Sequence, residues 1–234
     1  MDRDAVLRDF FNTTLKGESK TYDDHNWYTS SGLRGYISGS SSSMYPLLKK
    51  PLSQYTIGEI KAFQSKPRDA TGQLWATGRY QIIPSTLKGI ATKAGLSDSA
   101  VYNQVNQDRL AWELLMERPN LRNYIRGFVA DNPDSLKAAA LDMAKIWSSI
   151  GVPYPMQGSR QFVQTNQSYY AGGGDVASVS SEAIQQKLKQ LRLTLGGIIS
   201  GGIEFAKKRP FLTIILTSVF VTAVYILVKQ LKTK

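Results

Sequence analysis

The sequence predicts an α+β chain, predominantly helical, followed by an amphipathic helix and a C-terminal transmembrane helix. Three observations predict it. Apolar residues recur at helical spacing through most of residues 1–175, and a Ser-, Gly- and Tyr-rich interruption over residues 19–55 has the composition of loops and a small sheet. Residues 211–228 (FLTIILTSVFVTAVYILV) then run without a charge. The boundaries that follow are a body over 1–175, a linker and amphipathic helix over 176–209, a transmembrane helix over 210–229, and a basic tail over 230–234.

Taken in order, Val6, Leu7, Phe10 and Phe11 give the first helix a buried face, and Gly17 ends it. The serine run Ser40 to Ser43 marks the irregular stretch. Thr56 and Glu59 have the spacing of a capping box, which starts a second helix. Further helices are expected after Pro84, around Leu110 to Met116, and around Leu121 to Val129. The clearest expected helix runs from Pro133 to Trp147, where Leu136, Ala139, Ala140, Met143, Ile146 and Trp147 recur at helical spacing.

In the tail, Ile184, Leu188, Leu191, Leu195 and Ile198 alternate steps of four and three behind Ser180 or Ser181 as the start. That stripe predicts an amphipathic helix lying on a membrane or pairing with a partner. The GxxxG spacing from Gly197 to Gly201 suits either close helix approach or a hinge. Residues 211–228 would span roughly 27 Å as a helix, close to the thickness of a bilayer's hydrocarbon. They are entered through Lys207, Lys208, Arg209 and Pro210 and left through Lys229, Lys232 and Lys234, basic flanks suited to anionic headgroups. The N-terminal residues carry no apolar stretch behind a basic start, so no secretory signal is expected. The expected location is a membrane, reached through the tail.

The formal charge of +11 divides unevenly. Residues 1–175 hold 20 Lys and Arg against 16 Asp and Glu, while residues 176–234 hold 9 against 2. A body at only +4 does not call for nucleic acid, and the basic excess belongs to the expected anchor. With no cysteine and one histidine, His25, the chain cannot assemble a disulfide, a thiolate nucleophile or a Cys/His zinc site. Catalysis would fall to carboxylates, tyrosines and hydroxyls, with a glutamic acid in a partly apolar site as the obvious general acid. Glu59 is explained by capping, and Glu113 and Glu117 by an exposed helix side. Glu18 stands just past a helix end with no such role, although a solvated glutamate is the plainer reading of that residue alone.

The segment GRYQIIPST from Gly78 to Thr86 resembles the G-x-Y-Q-x-x-P-x-T motif of phage-type muralytic enzymes in the lysozyme-like superfamily. Glu18, in Lys16-Gly-Glu-Ser19, matches the glutamate that precedes this motif. The resemblance continues through TIGEIKAFQ (56–64), NQDRLAWELL (106–115), IGVPYPMQ (150–157) and QSYYAG (167–172), in the same order and over about 160 residues. In layout the chain is similar to the lambda-type endolysins, which are lytic transglycosylases, and to virion-associated bacteriophage enzymes.

This resemblance implies a lysozyme-like fold and cell wall degradation, by cleavage of the β-1,4 bond between N-acetylmuramic acid and N-acetylglucosamine in peptidoglycan. It implies Glu18 as the catalytic acid and base, and Tyr80, Gln81 and Tyr169 or Tyr170 as residues lining the sugar cleft. A core tyrosine with a bonded hydroxyl is the plain alternative for Tyr80. No cofactor or metal is implied. Asp23 and Asp24 are close enough in sequence to offer a second carboxylate for hydrolysis by a lysozyme (muramidase), whereas a transglycosylase needs none. Lys20 stands where relatives commonly have a smaller residue.

A muralytic domain joined to a span resembles the anchored enzymes with which membrane-containing phages open the wall during genome entry. The expected partners are peptidoglycan glycan strands, a lipid membrane through residues 210–229, and other virion membrane or vertex proteins. The rival readings are a role in host lysis and a non-catalytic glycan-binding virion protein.

Overall fold

Helix α1 (Arg3–Thr14) buries Leu7, Phe10 and Phe11 on one side, and the Thr14 hydroxyl donates back to Phe10 O at 2.8 Å in its last turn. These are the first elements of a computed structural model that describes residues 3–14, 19, 21–28, 34–37, 48, 50–67 and 73–208. Gly17 and Glu18 lie outside the described residues.

Strands β1 (His25–Tyr28), β2 (Arg34–Ile37) and β3 (Leu74–Thr77) form an antiparallel sheet in the order β2-β1-β3. His25 stands opposite Ile37 on one side and Thr77 on the other, and the β1/β3 register slips between His25 and Trp27. The small sheet expected within residues 19–55 therefore recruits its third strand from beyond residue 70. A short 3-10 turn (Leu52–Gln54) leads to α2 (Ile57–Gln64). Its capping box forms as the sequence predicts: Glu59 N donates to Thr56 Oγ1 at 3.2 Å and Thr56 N to Glu59 Oε2 at 2.6 Å.

Helix α3 (Pro84–Lys93) starts with proline in its first turn and ends at Gly95, whose φ of +64° closes a left-handed C-terminal cap. Helix α4 (Gln104–Met116) is capped by the Asn103 side chain, which accepts from Asn106 N at 3.1 Å. Helices α5 (Pro119–Ile125) and α6 (Pro133–Ala144) pack against each other. Both are shorter than expected. Gly127, at φ +74°, stops α5 before Val129, and α6 closes at Lys145 so that Trp147 sits in the turn beyond it. A two-residue ribbon, β4 (Met156–Gln157) with β5 (Phe162–Val163), precedes the last helix, α7 (Ser181–Lys208).

The described residues are thus predominantly helical with little strand, an α+β arrangement. The chain divides into two compact units, Met1–Arg192 and Leu193–Lys234. The opening turns of α7 belong to the first unit, and there the structure departs from expectation. Ile184, Leu188 and Leu191 are buried within it, so the first three residues of the stripe expected to meet a membrane or a partner are covered by the protein's own body. Burying apolar side chains of this size is worth about 2 kcal/mol each relative to leaving them in water. Polar contacts seat the same turns. Arg192 donates to Tyr124 O at 3.0 Å, Asn166 bonds Glu182 at 2.9 Å, and Lys187 lies 3.8 Å from Asp9. Among the described residues no helix is long and apolar enough to cross a membrane, and residues 210–234, which include the expected span, lie outside them.

Candidate functional site

The GRYQ segment folds as the tip of a hairpin. Thr77 and Ile82 exchange backbone hydrogen bonds at 3.1 and 2.9 Å, leaving residues 78–81 as a four-residue turn. Two positions in it have left-handed backbone, Gly78 at φ +72° and Gln81 at φ +48°. Gly78 is required twice over. A Cβ there would lie 2.1 Å from Gln107 Oε1, and a left-handed φ already strains any residue bearing a Cβ. Gln81, which does bear one, holds its conformation with its own amide, donating from Nε2 to Gly78 O at 2.9 Å. A non-glycine residue in this conformation stores of the order of 1–3 kcal/mol of strain, which the surrounding bonds must hold.

Two buried glutamines staple this hairpin from opposite helices. Gln64, on α2, donates to Trp75 O at 2.8 Å and Ile82 O at 2.9 Å. Gln107, on α4, accepts from Arg79 N at 3.0 Å and donates to Tyr22 O at 2.9 Å and Tyr102 O at 2.8 Å. Gln107 thereby joins the turn to the segment that follows Glu18. That segment is fixed again by Gly78 N, which donates to Asp24 O at 2.7 Å.

Next to Glu18, Ser19 is buried, and its hydroxyl is shared between Asp24 Oδ2 at 2.6 Å and Thr21 O at 2.9 Å. Asp24 is 0% exposed and also accepts from Thr21 N at 3.1 Å and Thr21 Oγ1 at 2.7 Å. Both its oxygens are occupied in holding this loop. Asp23, half-buried, accepts from Ser53 N at 2.7 Å. Asp24 is therefore not an open base, whereas Asp23 keeps an oxygen without a hydrogen bond among the described residues. His25 donates from Nδ1 to Asp23 O at 2.9 Å, and burial pushes its pKa down, so it is held as the neutral ring.

Tyr80 is 1% exposed. Its ring packs edge-on against Phe11 at 4.9 Å, its carbonyl accepts from Trp147 Nε1 at 3.1 Å, and its hydroxyl donates to Asp108 Oδ1 at 2.6 Å. Tyr22 donates to the same oxygen at 2.8 Å. Burial raises both phenols, Tyr22 to about 12, with Asp108 adding to each, so both stay protonated donors. Burial also raises the Asp108 carboxyl above the usual carboxylate range, against the opposing pull of the two hydroxyls, Arg8 and Arg79. Tyr80 therefore has almost no surface of its own with which to line a cleft. It holds the turn, and Gln81, half-buried and with its amide oxygen unbonded among the described residues, is the member of the pair that faces outward.

Tyr169 and Tyr170 sit in a second group, with ring centroids 5.2 Å apart in an edge-to-face pair, both half-buried. Tyr170 donates to Lys145 O at 2.6 Å, and the Lys145 ammonium lies 5.5 Å from the Tyr169 ring. The backbone around them is tightly fitted. Ser159 N donates to Tyr169 O at 2.9 Å, and a Cβ on Gly158 would lie 2.7 Å from that same carbonyl. The turn after α6 connects this group to the first, since Trp147 reaches Tyr80 and Lys145 receives Tyr170.

Sequence reasoning missed Gln64, Gln107, Asp108 and Tyr22. A signal for two of them was present. Gln107 shares a face with Leu110, Ala111 and Leu114, and Gln64 one with Ile57 and Ile60. A glutamine inside an apolar stripe must find buried partners or cost stability, and here those partners are the hairpin's backbone. Nothing in the spacing marks Asp108 or Tyr22, which meet across 86 residues. Among the described residues no group of three or more histidine or acidic side chains gathers closely enough to hold a metal ion. Comparison with protein-family models, with curated proteins and with solved structures finds no match to the chain.

Proposed function

We propose that the protein degrades peptidoglycan, as a lytic transglycosylase of the lysozyme-like superfamily cleaving between N-acetylmuramic acid and N-acetylglucosamine. One observation carries the reading. Segments that resemble the family one by one, and lie far apart in the chain, converge on a single strained turn. The 56–64 segment reaches it through Gln64 and the 106–115 segment through Gln107 and Asp108, and the loop that follows the matched Lys16–Ser19 joins them through Tyr22 and Asp24. A turn braced from three directions is what fixed placement of a substrate-facing residue requires.

In this reading Glu18 protonates the glycosidic oxygen as the bond from muramic acid C1 breaks. It then takes the proton of the muramic acid 6-hydroxyl as that oxygen bonds to C1, leaving a 1,6-anhydro end and a restored acid. Gln81 binds sugar, Tyr80 positions it through the turn, and the Tyr169 and Tyr170 pair offers aromatic surface farther along the strand. The saturation of Asp24 favours this route over hydrolysis, which calls for a second carboxylate to activate water. Residues 210–229 would hold the enzyme at a membrane, for local opening of the wall during genome entry.

Digestion of purified peptidoglycan by the full chain, with mass spectrometry of the products, tests the chemistry. Anhydro-muropeptides are expected. Reducing muramic acid ends would replace transglycosylation by hydrolysis, and no release at all would leave a glycan-binding virion protein. The Glu18→Gln chain is expected to release nothing, and full activity in it would remove Glu18 from its role. Flotation with liposomes, with and without residues 210–234, tests the anchor, and equal flotation of both would reject it.

A further inference from the structure

Two adjacent residues of α4, Gln107 and Asp108, bridge the same pair of segments in different ways. Gln107 joins them backbone to backbone, donating to Tyr22 O at 2.9 Å and accepting from Arg79 N at 3.0 Å. Asp108 joins them side chain to side chain, its Oδ1 accepting from the Tyr22 hydroxyl at 2.8 Å and the Tyr80 hydroxyl at 2.6 Å. Consecutive side chains leave a helix roughly 100° apart, so the two bridges pull from different directions. A single bridge between two segments is a hinge, and a second one fixes their orientation. Rings fill the space alongside: Tyr22 and Tyr80 meet edge-on at 6.3 Å, and the guanidinium of Arg79, itself only 8% exposed, lies 5.7 Å from the Tyr22 ring.

The bridged segments do not depend on Asp108 equally. The turn at 78–81 has its own supports in the Thr77 and Ile82 backbone pair and in the Gln64 amide on Trp75 O and Ile82 O. The loop is in a weaker position. The bonds among Ser19, Thr21 and Asp24 give it a shape and do not tie it to the rest of the body. Its outward hydrogen bonds among the described residues begin at Tyr22, four residues past Glu18, and continue with Ser53 N on Asp23 and Gly78 N on Asp24 O. Tyr22 is therefore the tie nearest Glu18 on that side, and Asp108 holds its outer end.

We propose that Asp108 is a positioning residue for the reaction proposed above, on which this inference rests. Through one shared acceptor oxygen it fixes the orientation of the loop that follows the acid against the turn that presents Gln81. Sugar is bound from the turn and the proton comes from the loop's side, so freeing Tyr22 slows the chemical step and leaves binding in place.

The test is steady-state digestion of soluble, uncross-linked peptidoglycan strands by the full chain in mild detergent, beside calorimetric titration with chitotetraose. Tyr22→Phe removes one hydroxyl and keeps the ring. It is expected to lower kcat about tenfold, with KM and chitotetraose affinity within about twofold, because a displacement of about 1 Å in a reacting group can cost up to a hundredfold and the loop keeps its other ties. Asp108→Leu is expected to lose at least as much, and Asp108→Asn, whose amide oxygen accepts from both phenols, to recover most of that loss. If Asp108→Leu does not fold, Tyr22→Phe stands in its place as the variant against which Asp108→Asn is compared. An unaltered kcat in Tyr22→Phe, a loss that falls on KM and chitotetraose affinity instead, or an Asp108→Asn chain as slow as the variant it is compared with would overturn the proposal. A parent chain that cleaves no strand overturns the function and the positioning role together. A parent that releases anhydro-muropeptides beside an equally fast Tyr22→Phe chain rejects the positioning role alone.

Discussion

The hairpin tip at residues 78–81 and the α5/α6 pair hold their shapes by opposite means. At the tip, backbone groups are satisfied by side-chain amides from α2 and α4 and by the Asp24 backbone carbonyl from the loop after Glu18, and the conformation itself is strained at Gln81. In the pair, the helices pack together with Leu121, Tyr124 and Ile125 of one and Leu136, Ala139, Ala140 and Met143 of the other buried, and Asp142 accepts from Leu121 N at 3.1 Å. Apolar packing is tolerant of direction, whereas a hydrogen bond is lost over a fraction of an ångström. The difference teaches where precision is placed: the helical pair supplies cohesion, and the tip supplies position.

The hardest blow to that contrast is Gly78→Ala. It puts a Cβ against Gln107 and a side chain into a left-handed backbone, and it is expected to cost about 3 kcal/mol of stability and to abolish peptidoglycan release, read by denaturant unfolding and product analysis. Retained activity would mean the tip need not be held as described. Met143→Ala, in the pair, is expected to cost a similar or slightly smaller amount, about 2–3 kcal/mol, while the protein that remains folded keeps its specific activity. A matched loss of activity there would erase the division between cohesion and position.

Asp108→Asn gives a smaller, pH-dependent effect. Burial raises the Asp108 carboxyl in the folded state, so the native protein binds that proton more firmly than the unfolded chain. The stabilisation this provides is fully present below the unfolded pKa and is lost as pH rises through the folded one. Asparagine keeps an oxygen for both phenols and carries no charge. The variant is therefore expected to gain stability relative to the parent as pH rises across that window, and to hold a constant difference above it. Unfolding midpoints measured from acid to neutral pH give the comparison, and a flat difference would show that Asp108 ionises as freely as in the unfolded chain. The mildest change, Tyr170→Phe, removes one hydrogen bond to Lys145 O and is expected to cost about 1 kcal/mol, with a weaker hold on long glycan strands than on short ones in a binding series.

Much of the scaffold is legible in the sequence, because the devices that define it are local. The Thr56/Glu59 box, the prolines opening α3 and α6, and the stripe of α6 each act within a few residues. The site is legible only in part. Its linear motif can be read, but Tyr80's place in the core, the pairing of Tyr22 with Asp108, and the covering of Ile184 and Leu188 depend on residues tens of positions away. Helical spacing says that a face is apolar and is silent on what covers it.

The seating of α7's opening turns bears on how the protein can be cut. A protease nick or truncation at residue 175 removes Ile184, Leu188 and Leu191 and uncovers the apolar trough they fill, leaving a fragment prone to clump. Severance after Arg192 leaves that trough filled. The length of body that can be released from its tail and stay in solution is thus set by three aliphatic side chains, the last of them sixteen residues beyond the point where the composition changes.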